Sequence, residues 1–148
     1  MVLATTGYSG TPLPKKLGFA DGQRVLFVGL PQDLEALASC CRFLTVDRQA
    51  GLAGFTAPST RYDVIHAFTR SHAELSASTD ALQSAITPDG TIWISWPKKA
   101  AKLETDVTED VVRDEALKRD LVDVKVCAVD AVWSGLKLVI RKDRRHLH

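Results

Sequence analysis

The 148-residue chain predicts a single α/β domain, with a mostly parallel sheet, helices on both faces and an antiparallel C-terminal edge. Three observations lead there. Residues 24–30 hold Val25, Leu26, Phe27 and Val28 in one continuous apolar run, the pattern of a strand covered on both faces. Apolar positions at helical spacing follow that run and return between later strand patterns, so strand and helix alternate. The last two strand patterns are separated only by residues 130–135, too short a link for a parallel crossover, so those strands should pair antiparallel.

After the first strand, Leu34, Leu37, Ala38 and Cys41 fall at i, i+3, i+4 and i+7, predicting a short helix that opens near Pro31. Residues 43–46 read as a second strand ending at Asp47, and residues 49–60, with their Gly, Ala, Pro and Ser, as a loop. Residues 62–69 form the next strand. Ser71 and Glu74 then have capping-box spacing for a helix from His72 that carries Leu75, Leu82 and Ile86 and stops at the turn signal Pro88-Asp89-Gly90. Residues 91–96 give a strand closed by Pro97. A last helix opens near Thr108, with Glu109 and Asp110 at its positive end, Lys118 and Arg119 at its negative end, and Val112, Ala116 and Leu121 among its apolar positions. Residues 123–129 and 136–141 are the closing strands. Residues 1–23 are expected to be a strap or short helix packed on the domain formed by residues 24–148.

Composition narrows the function classes. A chain of this length buries roughly 68–70% of its unfolded surface and needs no metal or disulfide to hold together. With 45% hydrophobic and 25% charged residues it is ordinary for a globular protein, and no apolar run approaches the roughly 18 residues of a membrane span. Thr5, Thr6, Ser9 and Thr11 interrupt any apolar stretch near the start, so no secretory signal is expected and the cytoplasm is the predicted setting. Cys40, Cys41 and Cys127 fit neither a disulfide framework nor a Cys-x-x-Cys site and read as buried small apolar residues. A net charge of +1 gives no pull toward nucleic acid or membrane, and the basic residues of 141–148 read as a solvated terminus.

The order of elements, residues 81–94 (Ala-Leu-Gln-Ser-Ala-Ile-Thr-Pro-Asp-Gly-Thr-Ile-Trp-Ile) and the closing antiparallel pair resemble the second half of an S-adenosylmethionine-dependent methyltransferase fold. In that superfamily a helix ending in a Leu-x-Pro-Gly-Gly type turn leads into a strand, and the last strand runs antiparallel. The resemblance implies a Rossmann-like, methyltransferase-like sheet. A second resemblance is to a family of short bacterial proteins without an assigned activity. It is carried by Gly-Tyr-Ser-Gly-Thr-Pro-Leu at residues 7–13, Lys-Leu-Gly at 16–18, Ser-Trp-Pro-Lys at 95–98 and Trp-Ser-Gly-Leu-Lys at 133–137, and it implies no reaction.

The first strand runs into Val28-Gly29-Leu30-Pro31, a single glycine followed by a proline, where a dinucleotide fold carries G-x-G-x-x-G. Gly29 and Asp47, the latter about 20 residues downstream where an acid would meet a ribose, are the only cofactor-binding candidates. Ser9, Ser71, Ser95 and Ser134 lack a G-x-S-x-G elbow, and His66 and His72 lack metal-ligand spacing, so no catalytic or metal residue is singled out. Helix N-termini near Leu30-Pro31-Gln32 and Thr69-Arg70-Ser71 attract anions. Leu30, Gln32, Arg70, Lys98 and Lys99, with Trp96 as a flat wall, are therefore the candidate ligand-binding residues. Residues 8–16 could close over the same edge as a lid, whereas Trp133 reads as an amphipathic plug. The favoured expectation is a binding module without catalysis or cofactor, for a small anionic metabolite or a protein partner, with a homodimer open. The alternative is a divergent S-adenosylmethionine- or nucleotide-dependent transferase.

Overall fold

The computed structural model describes residues 11–148. Within them a six-stranded sheet runs in the order β2-β1-β3-β4-β6-β5, with β1 at Arg24–Val28, β2 at Thr45–Gln49, β3 at Tyr62–Phe68, β4 at Ile86–Pro97, β5 at Leu121–Ala128 and β6 at Trp133–Ile140. The strands β2, β1, β3 and β4 pair in parallel, and β6 pairs antiparallel with both β4 and β5. This is the mixed α/β architecture expected from the sequence. Because β2 lies on one side of β1 and β3 on the other, chain order reverses at the carboxyl ends of β1 and β3.

Alternation along the strands builds two cores. Leu26, Val28, Ile65, Ala67, Ile92 and Ile94 point to the face covered by helices α2 (His72–Ser84) and α3 (Glu109–Leu117), through Leu75, Leu82, Val112 and Ala116. On the opposite face Val25, Phe27, Val64, Phe68 and Trp93 meet Leu34 and Leu37 and the segment after the one-turn helix α1 (Leu13–Lys16). Leu17 and Phe19 are buried there, and the Trp93 indole Nε1 donates to the Leu17 carbonyl at 2.9 Å. Of the opening Gly7-to-Leu13 motif, residues 7–10 lie outside the described residues, as do residues 8–10 of the proposed lid.

Capping residues set the starts of both long helices. Ser71 Oγ accepts from the Glu74 backbone N–H at 3.1 Å, and Thr108 Oγ1 from that of Val111 at 3.2 Å. Only the serine half of the expected capping box forms, because the Ser71 backbone N–H goes to Thr69 Oγ1 at 3.2 Å.

Four expectations need correction. Residues Gln32–Ser39 form a 3₁₀ helix kinked at Leu34 rather than an α-helix. Leu34 and Leu37, three residues apart, share a face in either geometry, so spacing does not separate the two. The second strand is Thr45–Gln49, so Asp47 sits mid-strand opposite Leu26 and does not end it. Helix α2 ends at Ser84, and Ile86 and Pro88-Asp89-Gly90 belong to β4. Between the pairs Tyr62↔Ile86 and Val64↔Thr91 the register jumps, and Pro88 occupies that irregularity, the kind of place where a strand tolerates a missing N–H. Finally, Leu121 opens β5 and does not lie on α3. No helix among the described residues is long and apolar enough to cross a membrane.

Candidate functional site at the carboxyl edge of the sheet

The turn after β1 is shaped by Gly29. Its φ of +68° lies in the left-handed region, and a Cβ built there would stand 3.0 Å from the Phe68 carbonyl oxygen and 3.5 Å from that of Ala50. Its N–H donates to the Gln49 carbonyl at 2.8 Å, tying the ends of β1 and β2 together. A side chain is excluded here by both backbone conformation and space.

Beyond that turn lies a cleft of about 790 Å³ at the β1–β3 reversal, within the size range of small-molecule sites. Gly29, Ala50, Gly51, Thr69, Arg70 and Ser71 line its sheet side, and Leu103, Glu104, Thr105 and Asp106 its outer side, with Phe68 and Trp133 as an aromatic wall. The Phe68 and Trp133 rings meet edge to face, with centroids 5.2 Å apart. A second hollow of about 330 Å³ shares Gly29 and is lined by Leu30, Arg48 and Gln49 at the end of β2.

The outer side is the connection between β4 and α3, latched onto the start of α2. Thr105 Oγ1 donates to the Arg70 carbonyl at 2.9 Å, and Asp106 Oδ1 accepts from the His72 backbone N–H at 2.7 Å. A carboxylate of the chain itself therefore occupies the N-terminal turn of α2, where the sequence suggested an external anion. The charged lining comprises one guanidinium, Arg70, against the carboxylates of Glu74, Glu104 and Asp106. Such a rim favours a ligand bearing positive charge, with Arg70 available to a carboxylate.

The candidates named from sequence divide accordingly. Gly29 and Arg70 line the main cleft and Leu30 the hollow beside it, while Gln32 is exposed on the 3₁₀ helix. Trp96 is a core residue at 7% exposure on the α2–α3 face, so it offers no flat wall to a ligand. Lys98 and Lys99 follow β4 outside the cleft lining, and the Lys98 backbone N–H donates to the Val132 carbonyl at 2.7 Å. The Asp47 carboxylate accepts from the Tyr62 hydroxyl at 2.6 Å across β1, and burial together with that bond pushes the tyrosine up to about 12. The residue at the end of β2 is Gln49, while Arg48 pairs with Glu35.

Sequence reasoning missed Ala50, Gly51 and residues 103–106, and it took Trp133 for a plug. The position of 98–107 as the connection leaving the carboxyl end of β4 was the available signal for the outer wall.

Two other polar clusters serve the fold. His66 is fully buried, its Nε2 is 2.7 Å from Ser95 Oγ, and its ring stacks on Phe68 at 4.3 Å. Burial pushes its pKa down to about 3, keeping the ring neutral. On the helical face Glu115 is buried. Burial draws its carboxyl upward, but bonds from His72, Lys118 and Arg119 outweigh that and hold it at about 2. Arg119 also reaches Asp80, fastening α3 to α2.

No family model matches the chain and no curated protein matches it in sequence, so the motif-level resemblance at residues 7–18, 95–98 and 133–137 gains no support there. Solved structures do match in fold. The N-methyltransferase NodS from Bradyrhizobium japonicum is 12% identical, with a TM-score of 0.59 over 82% of this chain and 88% of that one. The methyltransferase CcbJ from Streptomyces caelestis is 11% identical, with a TM-score of 0.60 over 86% of each chain. The magnesium protoporphyrin IX methyltransferase ChlM from Synechocystis, solved with bound S-adenosylmethionine, is 15% identical, with a TM-score of 0.59 over 82% of this chain and 71% of that one. At these identities the likeness establishes a methyltransferase-like fold and nothing about the reaction.

Proposed function

We propose that the chain binds S-adenosylmethionine in the β1–β3 cleft and acts as a transferase of the methyltransferase type. The observation that carries this reading is the cleft itself, at the reversal point beside the left-handed Gly29 turn and rimmed by carboxylates. The ligand presents a sulfonium, an ammonium and a carboxylate. Glu74, Glu104 and Asp106 suit the positive groups and Arg70 the negative one, and the Phe68–Trp133 wall gives the apolar parts a surface. When bound, the group supplies an electrophilic methyl carbon. The chain's contribution is to hold it against the sheet edge and to keep the positive charge compensated until transfer neutralises the sulfur.

The single glycine of Val28-Gly29-Leu30-Pro31 is compatible with this ligand because it has no phosphate to cradle. The acidic rim and the Asp106 carboxylate on α2 disfavour the small anionic metabolite expected from sequence. Isothermal titration of the full chain with S-adenosylmethionine, and separately with inorganic phosphate, tests the choice. Saturable heat with the first and none with the second is expected. Heat from phosphate alone would return the site to an anion-binding module, and silence from both at millimolar concentration would remove the ligand assignment. Release of S-adenosylhomocysteine with amine, hydroxyl or thiol acceptors then reports transfer, and binding without release would mark a non-catalytic protein.

A further inference from the structure

A second chemically distinct feature lies away from the cleft, at the C-terminal end of the 3₁₀ helix. Cys40 caps that helix, and its Sγ lies 3.7 Å from Sγ of the next residue, Cys41. Neighbouring side chains on a regular helix diverge, but here, at the end of the helix, the two sulfurs converge. Both residues are half-buried against the second core, beside partly buried Phe43. The third cysteine, Cys127, is buried on the edge strand β5 at the other end of the sheet from β2.

That separation matches the bite of two sulfurs on one soft centre. For bonds of about 2.3 Å the two sulfurs stand ~3.3 Å apart at a right angle, as on a pyramidal trivalent centre, and ~3.8 Å apart at a tetrahedral one, so the pair reaches either with a small side-chain rotation. A resident zinc ion, however, takes four protein ligands, and no group of three or more His, Cys, Asp or Glu among the described residues could hold a metal. The suitable partner is therefore a thiophilic centre that needs only two sulfurs and carries its own third substituent. Disulfide closure fits less well. Consecutive Cα atoms are about 3.8 Å apart, below the usual disulfide range of roughly 4.4–6.8 Å, and closure would need a two-electron oxidant.

We propose that Cys40 and Cys41 form a dithiol clamp for monosubstituted trivalent arsenicals and chemically equivalent thiophilic electrophiles. In the reaction two As–O bonds are replaced by two As–S bonds, the two thiol protons leave with oxygen as water, and arsenic stays trivalent. No oxidant or reductant is required. Burial and the adjacent Cys41 push the Cys40 thiol up to about 12, so Cys40 rests as a thiol, the form this exchange consumes. A monofunctional alkylating agent, which needs a thiolate, should react slowly with Cys40 by comparison.

The test uses the full reduced chain and phenylarsine oxide. Intact mass should show one adduct, and thiol titration in denaturant should fall from three groups to one, with the survivor mapping to Cys127. Excess 2,3-dimercaptopropanol should reverse the adduct, whereas excess glutathione should not. Cys40→Ser and Cys41→Ser should each lose the glutathione-resistant adduct, and Cys127→Ser should keep it. A peptide map of the wild-type adduct places the mass on residues 40–41 even if a serine variant folds poorly. Absence of an adduct on the native chain, its placement on Cys127, or removal by glutathione from wild type as readily as from the variants would overturn the clamp.

Discussion

Gly29 is the residue on which the site most depends. Gly29→Ala imposes a left-handed backbone on an L side chain and drives a Cβ to 3.0 Å from the Phe68 carbonyl, which has no freedom to retreat within β3. The expected cost is at least ~1–2 kcal/mol of stability, read as a lower denaturation midpoint at unchanged m-value, together with loss of ligand binding. His66 makes a different prediction. Its ring is neutral in the fold, with a pKa of about 3, while in the unfolded chain it titrates near 6.5, so the unfolded state takes up the proton first as pH falls. Stability is then complete above about pH 6.5 and declines toward pH 3, with a His66 contribution of ~2 kcal/mol lost by pH 5. Urea unfolding at pH 7.5 and pH 5.0 should show this loss in wild type and a smaller one in His66→Asn. Equal losses in both would assign the acid sensitivity elsewhere.

The elements show where sequence patterning was sufficient and where it was not. β1 announced itself through a continuous apolar run, and α2 and α3 through Ser71 and Thr108, because each signal is local and has one structural solution. Pro88-Asp89-Gly90 misled because turn chemistry serves a register irregularity inside β4 as well as a turn before it. Asp47 misled by spacing alone, since its carboxylate is committed to Tyr62, a contact that local pattern does not contain. The outer wall of the cleft was illegible for the same reason. Asp106 meets the His72 N–H across 34 positions of sequence, and only the fold brings them together. Asp106→Ala removes that acceptor from the first turn of α2 and should cost about 1 kcal/mol, comparable with loss of a helix cap. Hydrogen exchange should rise at the start of α2 and in residues 98–107 and remain unchanged in β1 and β3. A uniform rise would show that the latch does not act locally.

For the whole molecule, the sheet order and the reversal between β1 and β3 decide where a ligand can sit, and the charges around that point decide which kind. The sequence placed its candidate site at this edge with lysines around it, whereas the charged lining of the cleft is mostly acidic. Lys98 and Lys99 follow a strand that ends there, yet they lie outside the cleft lining, and Glu104 and Asp106 from the next few residues line it instead. Glu104→Lys should accordingly weaken S-adenosylmethionine binding while barely changing the melting temperature, since exposed charges contribute little to stability. Binding of an adenosyl ligand in the β1–β3 cleft can be read residue by residue from a ¹⁵N–¹H correlation titration of the full chain with S-adenosylhomocysteine. Saturable shifts are expected at the amides of Gly29, Ala50, Gly51, Thr69 and Arg70 and at the Trp133 indole. A spectrum unchanged at millimolar ligand, or one perturbed only around Lys98 and Lys99, would contradict that binding.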